Sequence, residues 1–279
     1  MVDRAALKEA IHRAVGEAAV ALRSDVRIAL GAALDTEPSE RGRSVIRQLL
    51  ENADIAAADR VPLCQDTGTA WVRLTLGVEE TVPGDIQHLA DEAVADAYRD
   101  FGLRMSTVRD ALFDRTNTDD NTPAFVCLEV RPGRGARVEV MLKGGGSDNA
   151  SALEMLPPSA GIEGVREFVI RTVESRATGA CPPLLIGVAV GGTFDTVAGL
   201  AKRALLRRIG TPAAGAAAAR VEADLLDAVN ATGIGPGGLG GRTTALAVHL
   251  MTAPCHIAAL PVAVNMGCCA VRSSVVEIA

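Results

Sequence analysis

The sequence predicts a mixed α/β fold, β-sheets flanked by helices, in one compact domain over residues 1–279. Three observations carry this. Apolar residues recur at three- and four-residue steps over several long segments, as amphipathic helices require. Short stretches of alternating apolar and polar residues lie between them, as in half-buried strands. A chain of 279 residues with 48% apolar and 22% charged residues can bury a large core. The net charge of −6 speaks against a general nucleic-acid binder. No apolar run approaches the roughly 20 residues of a membrane span. The first residues carry no signal-peptide core, so a cytoplasmic protein with reduced thiols is expected for the six cysteines. No internal repeat or low-complexity linker is visible.

The first sixty residues read as helical. Leu7, Ile11, Val15, Ala19 and Leu22 form one stripe, and Val45, Ile46, Leu49, Leu50 and Ile55 form a second after a break at 39–42. Residues 71–76 alternate as a strand. Ile86, Leu89, Val94, Ala97 and Phe101 mark a helix with Asp85 as its cap. Residues 114–123 form a polar loop. Residues 124–131 and 136–143 alternate around Pro132-Gly133-Arg134-Gly135 and predict a hairpin. Helices are expected over 162–178, 194–208 and 213–231, and strands over 184–190, 245–251 and 257–264. Residues 233–241 are a glycine-rich loop.

Several loops carry chemical residue types. Gly233-Ile234-Gly235-Pro236-Gly237-Gly238 fits the spacing of a dinucleotide fingerprint, but the strand-before, helix-after context is reversed. Cys255-His256 and Cys268-Cys269 raise a zinc site, although adjacent side chains diverge and paired C-x-x-C spacing is absent. Cys127 lies in an alternating strand and reads as a small packed hydrophobe. Cys64 and Cys181 instead adjoin proline and polar loop residues, as ligand-presenting turns do. His12 and His88 read as surface residues and His249 as a satisfied, partly buried histidine. His256, between loop and strand, is open to function. Arg104, Arg109 and Arg115 cluster near a helix end, where a guanidinium can either face water or clamp a carboxylate.

Taken in order, the loops are more specific than any one of them. They are Cys64-Gln65-Asp66-Thr67-Gly68, Asn117-Thr118-Asp119-Asp120-Asn121-Thr122-Pro123, Lys143-Gly144-Gly145-Gly146-Ser147-Asp148-Asn149, Cys181-Pro182-Pro183, Gly191-Gly192-Thr193, the glycine-rich run continuing through Arg242-Thr243-Thr244, and Leu260 through Cys268. From about position 60 onward the chain resembles the iron–sulfur (class I) fumarate hydratase and tartrate dehydratase family. It looks like the separate alpha subunit, equivalent to the amino-terminal half of single-chain members.

The resemblance implies a 4Fe–4S cluster held by Cys64, Cys181 and Cys268, with one iron left open. It places Gln65, Asp66, Arg104 and Gly146 at the substrate, and Asp66 and His256 in proton handling or orientation. Cys269, beside Cys268, departs from the family pattern. A separate beta subunit is expected to complete the site for a small dicarboxylate, giving a hetero-oligomer. Residues 119–123 and 240–244 look more like the fumarate branch, so fumarate–malate interconversion is the first expectation. L-tartrate or a methyl-substituted dicarboxylate follows, and a cluster-free binding or scaffold subunit is the alternative of another class.

Overall fold

The computed structural model describes residues 1–82 and 84–278. In chain order its first half holds α1 (Arg4–Val20), α2 (Ser24–Thr36), α3 (Glu40–Asp59), β1 (Thr69–Gly77), α4 (Ile86–Asp100), β2 (Phe125–Arg131) and β3 (Ala136–Lys143). There follow α5 (Gly145–Asn149), β4 (Ala152–Leu156), α6 (Gly161–Arg176), β5 (Leu184–Gly192), α7 (Phe194–Ala204), α8 (Ala216–Asn230), β6 (Ala245–Cys255), β7 (Leu260–Gly267) and β8 (Arg272–Ile278). The mixed α/β expectation holds. No described helix is long and apolar enough to cross a membrane. The chain divides into two compact units. One comprises Met1–Arg23, Asn52–Gly145 and Arg272–Ala279; the other comprises Ser24–Glu51 and Gly146–Val271.

In the first unit the strand order is β2-β1-β3-β8. α1 starts at Asp3, whose carboxylate accepts the Ala6 N–H, and buries Leu7, Ile11, Ala14, Val15 and Ala18. α4 starts at the expected cap: Asp85 accepts the Gln87 and His88 N–H groups. Both helices press their apolar stripes on Val72, Leu74, Val138, Val140 and Val276 of the sheet. Each fully buried side chain of this kind contributes about 1.5–3 kcal/mol.

The predicted hairpin does not form. β2 runs parallel to β1 and β3 antiparallel to it, so β1 lies between them. The turn at 132–135 instead bridges the end of β1, with Gly77 N–H donating to Gly135 O at 2.8 Å and Val78 N–H to Arg131 O at 2.7 Å. β1 is buried along almost its whole length, as a central strand must be, and α4 supplies the crossover that a parallel β1–β2 pair needs. β2 is left as an edge, which explains why Cys127 is exposed rather than packed.

In the second unit the order is β4-β7-β5-β6, with β5 parallel to β6 and antiparallel to β7. α6 and α8 cover one face through Val165, Phe168, Val169, Leu225 and Val229. α7 packs Val197 and Ala201 against Ala189 and Ala263. Each sheet therefore has a central strand with one parallel and one antiparallel neighbour, and the next two strands in sequence fall on opposite sides of it. This shared plan is invisible as a sequence repeat.

Strand register decides which loops meet. Thr69 pairs with Lys143, Trp71 with Phe125 and Leu142 with Arg272. Segments 64–68, 104–124 and 144–145, and Arg272, thus gather at one end of the first sheet. In the second unit Leu184 pairs with Ala245 and Leu185 with Gly267. Segments 181–183, 233–244 and 268–269 gather at one end of that sheet.

Candidate active site

In the first unit, Cys64, Gln65 and Asp66 lead into β1 through Thr67 and Gly68. Cys64 is half-buried and Gln65 exposed, with the Cys64 Sγ donating to Gln65 Oε1 at 3.5 Å. Gly68 has φ +75°, and a Cβ there would meet Lys143 O at 2.2 Å, so only glycine fits. Asp66 is held at two points. Its Oδ2 accepts the Gly145 N–H at 2.8 Å, and its carbonyl accepts Arg272 Nη1 at 2.5 Å. Arg272 is only 2% exposed, and its Nε has no hydrogen-bond partner.

A buried frame connects this segment to the next loop. Tyr98 of α4 donates its hydroxyl to Gly68 O at 2.8 Å, and burial pushes its phenol well above the ordinary tyrosine range. Thr67 Oγ1 donates to Arg104 O at 2.6 Å. Asn121 Nδ2 donates to Gly68 O, while its Oδ1 accepts from the Ser106 and Thr107 backbones. The Arg104 side chain projects from this frame exposed and without an ion-pair partner among the described residues. The structure thus gathers Gln65, Asp66 and Arg104 at one end of the first sheet. Arg109 is also exposed, but Arg115 turns to the Ala111 carbonyl at 2.7 Å.

In the second unit, Cys181 has a left-handed backbone, φ 56°, just before β5. Its carbonyl accepts the Cys269 N–H at 3.1 Å, which joins the Cys181 turn to the Cys268-Cys269 turn. The glycine-rich loop lies against the same place, with Gly237 N–H donating to Pro182 O at 2.8 Å. That loop is locked from below. Glu37, 1% exposed, accepts N–H groups from Ser39 at 3.0 Å, Arg242 at 3.0 Å and Thr243 at 2.8 Å. Burial works to raise the Glu37 carboxyl pKa, but these N–H donors outweigh it and hold it below the usual range. The loop is neither followed by a helix nor shaped as a dinucleotide turn; β6 follows it.

Gly146 is exposed, and a Cβ there would meet Gly179 O at 2.6 Å. His256 lies elsewhere. It follows the end of β6, where Cys255 pairs with Gly192 at the far end of β5. Eight residue steps of β5, about 26 Å at ~3.3 Å per residue, separate that end from the Cys181 end. His256 is exposed, and its Nδ1 accepts the Ala258 N–H at 3.1 Å, which leaves the proton of the neutral ring on Nε2. His249 is buried with Nδ1 against Ala204 O at 3.1 Å, as expected of a core histidine.

Cys64, Cys181 and Cys268 are in no disulfide among the described residues and are partly or fully accessible. Among the described residues no three His, Cys, Asp or Glu side chains form a group suited to a single metal ion. Iron–sulfur clusters are held chiefly by cysteine thiolates. The joined Cys181 and Cys268-Cys269 turns supply that donor type. Sequence reasoning passed over Thr67, Tyr98, Asn121, Arg272 and Glu37. Asn121 sits inside a quoted motif and Arg272 four residues after Cys268, but nothing local marks Glu37.

The match to known proteins covers nearly the whole chain. Residues 8–277 fit the family model described as fumarate hydratase (Fumerase). A Methanocaldococcus jannaschii protein, provisionally named L(+)-tartrate dehydratase subunit alpha, is 39% identical over 94% of each chain. The L(+)-tartrate dehydratase subunit alpha of Escherichia coli K12 is 34% identical over 85% of this chain and 79% of its own, and that of E. coli O157:H7 is 35% identical over the same shares. The chain belongs to the fumarate hydratase (Fumerase) family of hydro-lyases.

Proposed function

We propose that this chain is the alpha subunit of an iron–sulfur hydro-lyase that adds water to, or removes it from, a four-carbon dicarboxylate. The observation that carries this is the frame at the end of the first sheet. It fixes a carboxylate, Asp66, at both backbone and side chain, and beside it leaves an exposed, unpaired guanidinium on Arg104. In this reading Cys64, Cys181 and Cys268 hold a 4Fe–4S cluster. Such a cluster, with one iron lacking a protein ligand, supplies a Lewis acid for substrate oxygen.

The chain's own groups do the rest. Arg104 grips one substrate carboxylate through its planar fork. Gln65 and the exposed backbone at Gly146 orient the substrate. Asp66, kept in place by the Gly145 N–H, holds or moves the proton at the carbon next to the reacting bond. His256, about 26 Å away along β5, lies far beyond hydrogen-bond reach of any group bound at Cys181 in its own chain. We therefore assign it to the site of a second copy. The relatives' names imply a beta partner, and we propose that it completes the site in a cytoplasmic hetero-oligomer.

Fumarate is the first substrate by the look of residues 119–123 and 240–244. The relatives named for L-tartrate support a second reading, in which the same site dehydrates tartrate. The test is anaerobic. The chain is reconstituted with iron and sulfide, alone and with its beta partner, then assayed on fumarate, malate and L-tartrate. About four irons and four sulfides per chain are expected. Zinc without sulfide, or a cluster-free complex of full activity, would sink the reading. The ratio of kcat/KM values decides between the two substrates.

A further inference from the structure

Asn121 is fully buried, at 0% exposure, and has a left-handed backbone, φ 60°. A non-glycine residue rarely adopts that conformation, though asparagine tolerates it better than most. Its side chain ties together two segments more than thirty-five residues apart in sequence. Nδ2 donates to Gly68 O at 3.1 Å, on the segment that carries Gln65 and Asp66. Oδ1 accepts the Ser106 N–H at 2.7 Å, the Thr107 N–H at 3.2 Å and the Thr107 hydroxyl at 3.2 Å, just past Arg104. An amide donates to a carbonyl through its nitrogen while its oxygen, a separate atom, accepts from N–H groups. Thr67 adds a second tie, from its hydroxyl to the Arg104 carbonyl. The Arg104 guanidinium itself has no partner among the described residues, so only its backbone sets where it stands.

We propose that Asn121 is a positioning residue that sets the separation between Arg104 and the Gln65–Asp66 segment, and thereby the grip on the substrate carboxylate. The inference rests on the proposed role of Arg104. Removal of the amide frees the 104–107 backbone while the cysteines keep their own surroundings. The effect therefore falls on dicarboxylate binding and not on cluster content. A misplacement of the clamp by about 1 Å is enough for a tenfold to hundredfold loss.

The experiment is a double-mutant cycle on the holoenzyme with its beta partner: Arg104→Ala, Asn121→Asp and the pair. KM, kcat, the inhibition constant of succinate as an unreactive dicarboxylate, and iron and sulfide content are measured. Asn121→Asp keeps the acceptor and the tolerance of positive φ but sets an oxygen against Gly68 O. It is expected to raise KM and the succinate constant about tenfold or more, with iron unchanged. Combined with Arg104→Ala it should add almost nothing, because the two act through one contact. Additive penalties, or an Asn121→Asp KM within about twofold of the parent, would overturn the proposal while leaving the role of Arg104 intact. An Arg104→Ala enzyme with unchanged KM would instead reject the reading beneath it. If Asn121→Asp does not fold, Thr67→Val, which removes the second tie, carries the same expectation and the same refutation.

Discussion

Replacing Glu37 by glutamine should destabilise the second unit by about 2–4 kcal/mol at neutral pH. The figure follows from the contacts. Oε2 takes the Thr243 N–H at 2.8 Å and shares the Arg242 N–H at 3.1 Å, while Oε1 takes the Ser39 and Arg242 N–H groups at 3.0 Å each. An amide nitrogen in place of Oε2 meets those donors with a donor. The Thr243 N–H, on a residue only 8% exposed, loses its acceptor, which costs about 1–3 kcal/mol. The remaining bonds lose their charge assistance, worth about 0.5–1 kcal/mol each, and relief from burying a charge offsets part of the sum. The pH dependence has a definite sign. The N–H donors hold the folded Glu37 carboxyl below the ordinary glutamate range, so its contribution is complete above that range and is lost as pH falls through the lower, folded value. The gap between parent and Glu37→Gln should therefore be constant at neutral pH and close on acidification. Urea unfolding followed by far-UV circular dichroism at a series of pH values measures it. A gap under about 0.5 kcal/mol, or one that widens in acid, would refute the reasoning.

Other expectations follow from the same geometry. Cys64→Ser, Cys181→Ser and Cys268→Ser should each lose iron and sulfide with the circular dichroism spectrum unchanged, whereas Cys127→Ser and Cys255→Ser keep the parent iron count; retention of four irons in all three ligand variants would exclude the assigned set. Gly68→Ala forces a side chain into φ +75° and against Lys143 O at 2.2 Å, and should cost about 3 kcal/mol or more by denaturant titration; a loss below about 1 kcal/mol would mean that the turn relaxes freely. If His256 serves a second copy, Cys181→Ser and His256→Ala chains are each inactive alone but regain part of the activity when co-assembled. Mixed assemblies with no activity above the two parents would contradict that arrangement.

Local pattern was enough for α1, α4, α6, α8, β1 and β5. In each, burial follows the spacing of apolar residues, and Asp85 caps α4 where the sequence placed a cap. The two short strands β4 and β8 escaped notice. β8 carries Ser273, Ser274 and Glu277 on an edge, with too few apolar positions to alternate clearly. α7 ends at Ala204 rather than at 208, and β7 begins at Leu260 rather than 257.

The site divides the same way. Gln65, Asp66 and Arg104 could be named from their loops because those loops have distinctive residue types in a distinctive order. That they meet at one sheet end could not be read, since it depends on β1 pairing with both β2 and β3. Adjacent alternating stretches around a Pro-Gly turn suggest direct pairing, and no local signal announces a third strand between them. The amino-acid sequence alone determined the helical stripes, the succession of glycine- and cysteine-bearing loops and the family they mark, because these depend on neighbours along the chain. Only the tertiary structure decided the strand order, the removal of His256 to the far end of β5, and the tasks of Asn121, Arg272 and Glu37. Those depend on which distant backbone donors and acceptors are buried together and must be satisfied there.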